Sequence, residues 1–299
     1  MEKLVERESA TRNSLVAAPA LAVQFFLIPL VVVAVTVLGF IGFRSMVADE
    51  RSPQNYLDEI RYGGWYRQWP AAYELSQLMA DPKIRADKTL GPELVKAFVD
   101  AKDYDPRVRR YLALAIGRLD PPLPADAVAK LSQALEDPDS ESRIGAIWAL
   151  GSSGDPAVVP KIEPLYASSD PGIRKMVVYA LGALPGDAQI ATLREALEDA
   201  TPDVRWNAAV ALARHGSRDG VAVLQQMLDR SYVEQTVKRD VNLISDDEED
   251  PIADVMISGL RAVATLKDGS LRASIEGLSQ QDRSLKVRQA ALEALKDMG

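Results

Sequence analysis

A chain of 299 residues, 47% hydrophobic and 26% charged, is long enough for one or two domains with buried cores and too apolar for general disorder. Its net charge of −8 argues against a phosphate backbone as partner, since counterion release needs a basic surface, and no nucleic acid is expected. With no cysteine at all, disulfides, thiolate catalysis and Cys-ligated metals are excluded.

Residues 1–19 read as an N-terminal tail carrying Lys3, Arg7 and Arg12. The run that follows, residues 20–43, ALAVQFFLIPLVVVAVTVLGFIGF, has Gln24 and Thr36 as its only polar members. A bilayer core of about 30 Å takes about 20 apolar residues as a helix, so this run predicts a single transmembrane helix in contact with the lipid bilayer. Pro29 is expected to kink it. A cleaved signal peptide would have a shorter apolar core of about 7–15 residues and a small-residue exit, which FRSMVADE does not supply. Lys and Arg tie on the two flanks, and the free amino terminus tips the orientation. The expectation is a single-pass membrane protein, in a bacterial inner membrane, with the large domain outside the cytoplasm.

Residues 44–102 are expected to hold an aromatic segment and capping helices. Tyr56 to Met79 contains Tyr56, Tyr62, Trp65, Tyr66, Trp69 and Tyr73. Such a segment can close the first unit of a repeat array, rest at a bilayer interface, or form a hot-spot patch for a protein partner. On the last reading Tyr62, Trp65, Tyr66 and Trp69 are candidate partner-binding residues.

Residues 103–299 repeat. DPRVRRYLALAIGRL from Asp105, DPDSESRIGAIWALGSSG from Asp137, DPGIRKMVVYALGAL from Asp170 and TPDVRWNAAVALARHG from Thr201 share one pattern, and DRSLKVRQAALEAL from Asp282 follows it again. The aligned arginines are Arg109, Arg143, Arg174, Arg205 and Arg288, separated by 34, 31, 31 and 83 residues, the last gap being two periods plus an insertion. Asp or Thr before Pro starts a helix by capping free amides, and apolar residues then recur three and four apart. Gly117, Gly151 and Gly182 fall where glycine ends a helix or permits close approach. Second helices are predicted over 125–136, 157–167, 188–198 and 220–229, each with one apolar stripe that only a stacked neighbour can cover.

These DPxVR openings and AxxALG endings resemble the HEAT-like repeats of the phycobilisome-lyase type, over about two-thirds of the chain by the extent of the pattern. The resemblance implies an all-α fold, here one transmembrane helix followed by a HEAT-like α-solenoid. It also implies, by analogy, a lyase- or chaperone-like protein acting on a pigment-binding protein.

Residues 232–250 interrupt the period and end in the acidic run Asp246 to Asp250. A solvated loop is expected there, within the fifth unit, with Ile252 to Leu266 resuming as a degenerate repeat without its arginine. The run lacks the glycine turn and alternating ligands of a calcium loop. His215, the only histidine, is expected as a helix-end cation or hydrogen-bonded surface group. No nucleophile elbow, P-loop, dinucleotide fingerprint or HExxH pattern is present, and no catalytic residue, cofactor or metal is expected. The arginine ladder admits two roles. Arg109, Arg143 and Arg174 each follow an aspartate by four residues, so that the acid caps the helix and the arginine bridges to the next unit. Alternatively Arg109, Arg143, Arg174 and Arg205 line a groove for an acidic partner segment.

The function expected from these features is a non-catalytic, membrane-anchored scaffold, an accessory subunit of a membrane complex that binds another protein through the solenoid face. The alternatives are the lyase- or chaperone-like role and a transporter accessory subunit, the last only faintly supported because Gly39 and Gly42 are three apart rather than four.

Overall fold

The computed structural model describes residues 28–47, 51–124, 126–238 and 250–299, and divides into two compact units, 1–52 and 53–299. All regular structure among the described residues is helical.

In the first unit one helix, α1, spans Ile28–Val47. The residues before Ile28 lie outside the described ones, so the kink expected at Pro29 falls at the edge of the description. At the other end the helix takes in Arg44, a charge outside the predicted span. Side chains from Leu30 to Phe40 are exposed within the unit. Among the described residues no helix is long and apolar enough to cross a membrane. The expected transmembrane helix over 20–43, its lipid contact and the single-pass inner-membrane localisation are therefore corrected. Part of the apolar run, residues 20–27, lies outside the described residues, and the remainder forms a helix with a charged end.

The second unit is a two-layer stack of helix pairs. It opens with α2 (Pro53–Tyr62) and α3 (Trp65–Leu78), then a short turn α4 (Pro82–Arg85) and α5 (Leu90–Asp100). The first repeated pair is α6 (Pro106–Gly117) with α7 (Ala127–Gln133). Next come α8 (Ser140–Ser152) with the short α9 (Val159–Ile162), and α10 (Pro171–Ala183) with α11 (Ile190–Glu195). They are followed by α12 (Pro202–Arg214) with α13 (Val221–Leu228), an extra helix α14 (Arg230–Lys238), then α15 (Pro251–Leu266) with α16 (Arg272–Gln281), and finally α17 (Leu285–Met298). The longer helices α3, α6, α8, α10, α12, α15 and α17 pack side by side in that order as one layer, and the shorter ones cover their backs.

Local chemistry explains where these helices start. Asp105 accepts from the Arg107 amide at 3.0 Å, Asp139 from Ser142 at 2.7 Å and Asp170 from Gly172 at 2.8 Å, each satisfying an amide that has no helical partner. Close packing explains the glycines. A Cβ at Gly117 would stand 2.7 Å from the Ala149 Cα, and one at Gly151 would stand 2.8 Å from the Ala180 Cα, so the next long helix approaches at backbone distance. Gly182 meets Ala211 in the same way. Ala113, Ile147, Val178 and Ala209, at one register position of four successive long helices, are all fully buried. The core is two clusters that meet on α12. One runs from Leu57 to Leu212, the other from Trp206 to Ala294.

The insertion departs from the predicted loop. Tyr232–Lys238 belongs to α14, with Val233 fully buried, and residues 239–249, most of the acidic run, lie outside the described residues. It sits between α13 and α15 rather than within a unit, because the apolar residues Tyr232, Val233 and Val237 give its first half a stripe to bury.

Candidate functional site

Four of the five aligned arginines act through the backbone of the loop that precedes their own helix. Arg143 donates to the carbonyls of Asp137 and Pro138 at 2.6 and 3.1 Å, Arg174 to Ser168 and Ser169 at 3.0 and 3.2 Å, and Arg205 to Asp199 and Ala200 at 2.7 and 3.1 Å. Arg288 repeats the bond to the Asp282 carbonyl at 2.5 Å. These loops carry orphan carbonyls left by the preceding short helix, and a guanidinium satisfies two at once.

Two of the arginines also cross to the next repeat. Arg109 pairs with the Asp137 carboxylate, and Arg174 grips Asp199 through Nε at 2.8 Å and Nη2 at 3.0 Å. Arg143 has no such carboxylate to reach, because Ser168 occupies the position equivalent to Asp137 and Asp199. The Arg174 hydrogen bonds hold the Asp199 carboxyl below its ordinary value, against the opposing effect of burial. Burial, followed by the Asp199 charge, pushes the neighbouring Tyr166 phenol up to about 12. All four candidate arginines are half-buried, and Arg109, Arg143, Arg174 and Arg205 thus sit in the joints between repeats with acceptors already on their nitrogens.

The candidate aromatics separate. Trp69 packs partly into the core, with the Arg107 guanidinium 4.3 Å above its ring. Tyr62, Trp65 and Tyr66 stand out at 83%, 81% and 59% exposure around the Gly63–Gly64 turn between α2 and α3, a density of solvent-facing rings that protein surfaces rarely carry without use. Trp65 and Tyr66 meet edge to face at 6.1 Å.

A second feature escaped the sequence reading. The outward face of the long-helix layer carries half-buried or exposed rings with cations set over them: Tyr73 against Tyr111 at 5.2 Å, Arg110 near Tyr111 at 5.6 Å, and Arg214 near Tyr179 at 6.0 Å. Ion pairs run between successive helices of this face, Arg110 to Glu141 at 2.8 Å and Lys175 to Asp203 at 3.2 Å. Where α10, α12 and α15 adjoin, the face opens into a groove of about 390 Å³. Met176, Tyr179, Trp206, Val210 and Val255 line it, and Met227 of α13 closes its floor. The close-approach glycine of earlier joints is Ala213 on α12, and the interval to the next long helix is lengthened by the insertion. Among the described residues neither Arg214 nor Asp254, both at the groove, has an ion-pair partner, and the buried indole N–H of Trp206 has no acceptor. The signal that could have found this face is the position five residues after each aligned arginine, occupied by Trp148 and Tyr179.

His215 caps the C-terminus of α12, its Nε2 lying 3.4 Å from both the Leu181 carbonyl and the Gln189 amide nitrogen. No group of His, Asp and Glu able to hold a metal ion occurs among the described residues.

Comparison with known proteins completes the picture. The chain is 30% identical over 141 residues to the uncharacterized phycocyanin operon protein Z of Pseudanabaena tenuis (strain PCC 7409), covering 43% of this chain and 70% of that one. Among solved structures it is similar to the complex of CpcE and CpcF of phycocyanin lyase from Nostoc sp. PCC7120, at 18% identity and a TM-score of 0.48 over 83% of this chain and 95% of that one. It is also similar to human deoxyhypusine hydroxylase, at 18% identity and a TM-score of 0.35 over 85% of this chain and 98% of that one. The model of HEAT repeats matches residues 92–182 and 164–243, which together span half of the sequence. On that match, and with helix pairs stacked at a 31-residue period, the chain belongs to the HEAT-repeat family.

Proposed function

We propose that this chain is a protein-binding solenoid that handles a pigment-binding protein in a lyase- or chaperone-like role, using the outward face of its long helices. The observation that carries the reading is the 30% identity over 141 residues to a phycocyanin operon protein. The groove supports it physically. Its apolar floor can take an inserted side chain, and the lone Arg214 and Asp254 offer one charge of each sign to orient a partner segment. An extended face of this kind grips a folded partner without a closed pocket.

The test is titration calorimetry of the full chain against phycocyanin α and β subunits, each with and without its pigment. Binding weakened at least about tenfold by Val210→Asp, which places a charge in the apolar groove, supports the reading. Accelerated pigment attachment, followed by absorbance, assigns the lyase-like form; binding without acceleration assigns the chaperone-like form. No binding to any of the four species sinks the proposal. A second reading, a scaffold for an unrelated protein, is favoured by the exposed Tyr62, Trp65 and Tyr66. It predicts a stoichiometric partner whose capture depends on those rings rather than on the groove.

A further inference from the structure

The repeat register exposes a missing part and its replacement. Ile257 stands 31 residues before Arg288, the position an aligned arginine should occupy, and 25 before Asp282, the same separation that joins Arg174 to Asp199. Isoleucine has no donor. The carboxylate at Asp282 is nevertheless retained, with its side chain only 2% exposed, and a buried carboxylate needs a cation.

That cation comes from the insertion. Arg230, the first residue of α14, reaches Asp282 across 52 residues, with Nε at 2.8 Å and Nη2 at 2.6 Å. This is the forked geometry of the Arg174–Asp199 rung, supplied from a different helix. One turn further on, Glu234 pairs with Arg283 at 2.7 Å, fastening the same loop a second time. On its other side α14 touches the preceding repeat, where the Tyr232 hydroxyl lies 3.5 Å from Arg205 and Val233 is fully buried.

We infer that α14 is a clip: an inserted helix that substitutes for the lost arginine of α15 and makes the stacking of α16 and α17 conditional on its own docking. The carboxylate of Asp282 also caps the Ser284 amide at 2.8 Å, so the clip bears directly on the start of α17. Because the second core cluster begins on α12, release of the clip loosens α15 to α17 and leaves the first cluster packed. The insertion is then a conformational device, a point at which anything that displaces nine residues of helix frees the final repeats.

Hydrogen exchange on the full chain tests this. Arg230→Ala is expected to lower amide protection over residues 272–298 by about a hundredfold while leaving 92–182 unchanged, since the orphaned Asp282 stays buried. Adding Ile257→Arg to that variant is expected to restore most of the protection by rebuilding the regular rung. Asp282→Asn, which keeps the cap and removes the charge, is expected to match Arg230→Ala, with no further loss in the double variant. Should Arg230→Ala fail to fold, Arg230→Lys takes its place with an expected loss of about tenfold, because a point charge cannot replace the fork. Uniform loss across the unit, no loss in 272–298, or failure of Ile257→Arg to restore protection in a folded chain would overturn the inference.

Discussion

The guanidinium of Arg174 and the carboxylate of Asp199 meet through two N–H···O bonds, of 2.8 and 3.0 Å, across a joint between repeats. The same arginine closes two carbonyls of its own loop, so one side chain serves both sides of the joint. With side-chain exposures of 17% and 5%, neither partner is freely hydrated. Arg174→Ala is therefore expected to cost about 3 kcal/mol in urea unfolding, much of it the penalty of a carboxylate left alone. Arg174→Ala combined with Asp199→Ala is expected to cost less than the sum of the single changes.

Acid should undo these joints. Asp199 is held low chiefly by its Arg174 bonds. At Asp282 burial is the largest single influence and pushes upward, but Arg230, the Ser284 amide and the nearby Arg283 together outweigh it, and the net direction is down. A carboxyl whose folded pKa lies below its unfolded value stabilises the fold above that unfolded value, about 3.9 for Asp, and the gain is lost as pH falls through the folded value. Unfolding free energy is expected to be flat between about pH 5 and 7 on account of these two groups, and to fall steeply below about pH 4. Circular dichroism melts across this range check it. In Asp199→Asn the acid slope should be shallower.

Gly151 offers a cleaner probe of packing. Alanine in a helix gains about 1 kcal/mol over glycine in intrinsic propensity, but a methyl here would stand 2.6 Å from the Ala180 Cβ and 2.8 Å from its Cα. The clash is with a neighbouring helix's backbone, which cannot rotate away. Gly151→Ala is expected to destabilise by about 1–3 kcal/mol net, as overpacking does, and a melting temperature above that of the parent chain would show that the helices can part.

The exposed rings and the packed ring at the start of the second unit should respond oppositely. Replacing Tyr62, Trp65 and Tyr66 with serine removes little buried area, so stability is expected to hold within about 0.5 kcal/mol per site, and capture of a partner falls only on the second reading above. Trp69→Ala, which strips a ring packed against the core and beneath Arg107, is expected to cost about 2–3 kcal/mol. Parallel denaturation and pull-down measurements separate the two roles.

Helix starts and the repeat period were legible because they depend on local chemistry. Asp105 and Asp170 before proline cap amides two residues on, and an alanine-rich stripe repeats every 31 residues. The second helices fell within a few residues of their expected places, over 127–136 and 190–198 for example. Arginine pairing was only half legible. The cap by Asp105 and a bridge from Arg109 to the next unit were both expected and both occur, but neither the second bond of Asp105, to Arg107, nor the bridged residue, Asp137, could be named. That choice is made by the stacking distance between repeats, which no window of sequence contains. The groove was illegible for the same reason, since Tyr179, Val210 and Val255 lie on three helices. The apolar run of 20–43 was misjudged because length and hydropathy alone do not make a span, and the described helix carries the charged Arg44 near its end.

The serine at position 168 has a mechanical meaning. Buried apolar surface cements the joints, but those after α6 and α10 are also pinned across the gap by an arginine and a carboxylate, and those after α8 and α12 lack that pin, Arg205 reaching only carbonyls and the Tyr232 hydroxyl. Under tension a stack yields where its seams are weakest, so a chain pulled from its ends should part first at one of these two joints in force–extension traces. Ser168→Asp, which supplies the missing acceptor to Arg143, should confine that first rupture to the joint after α12.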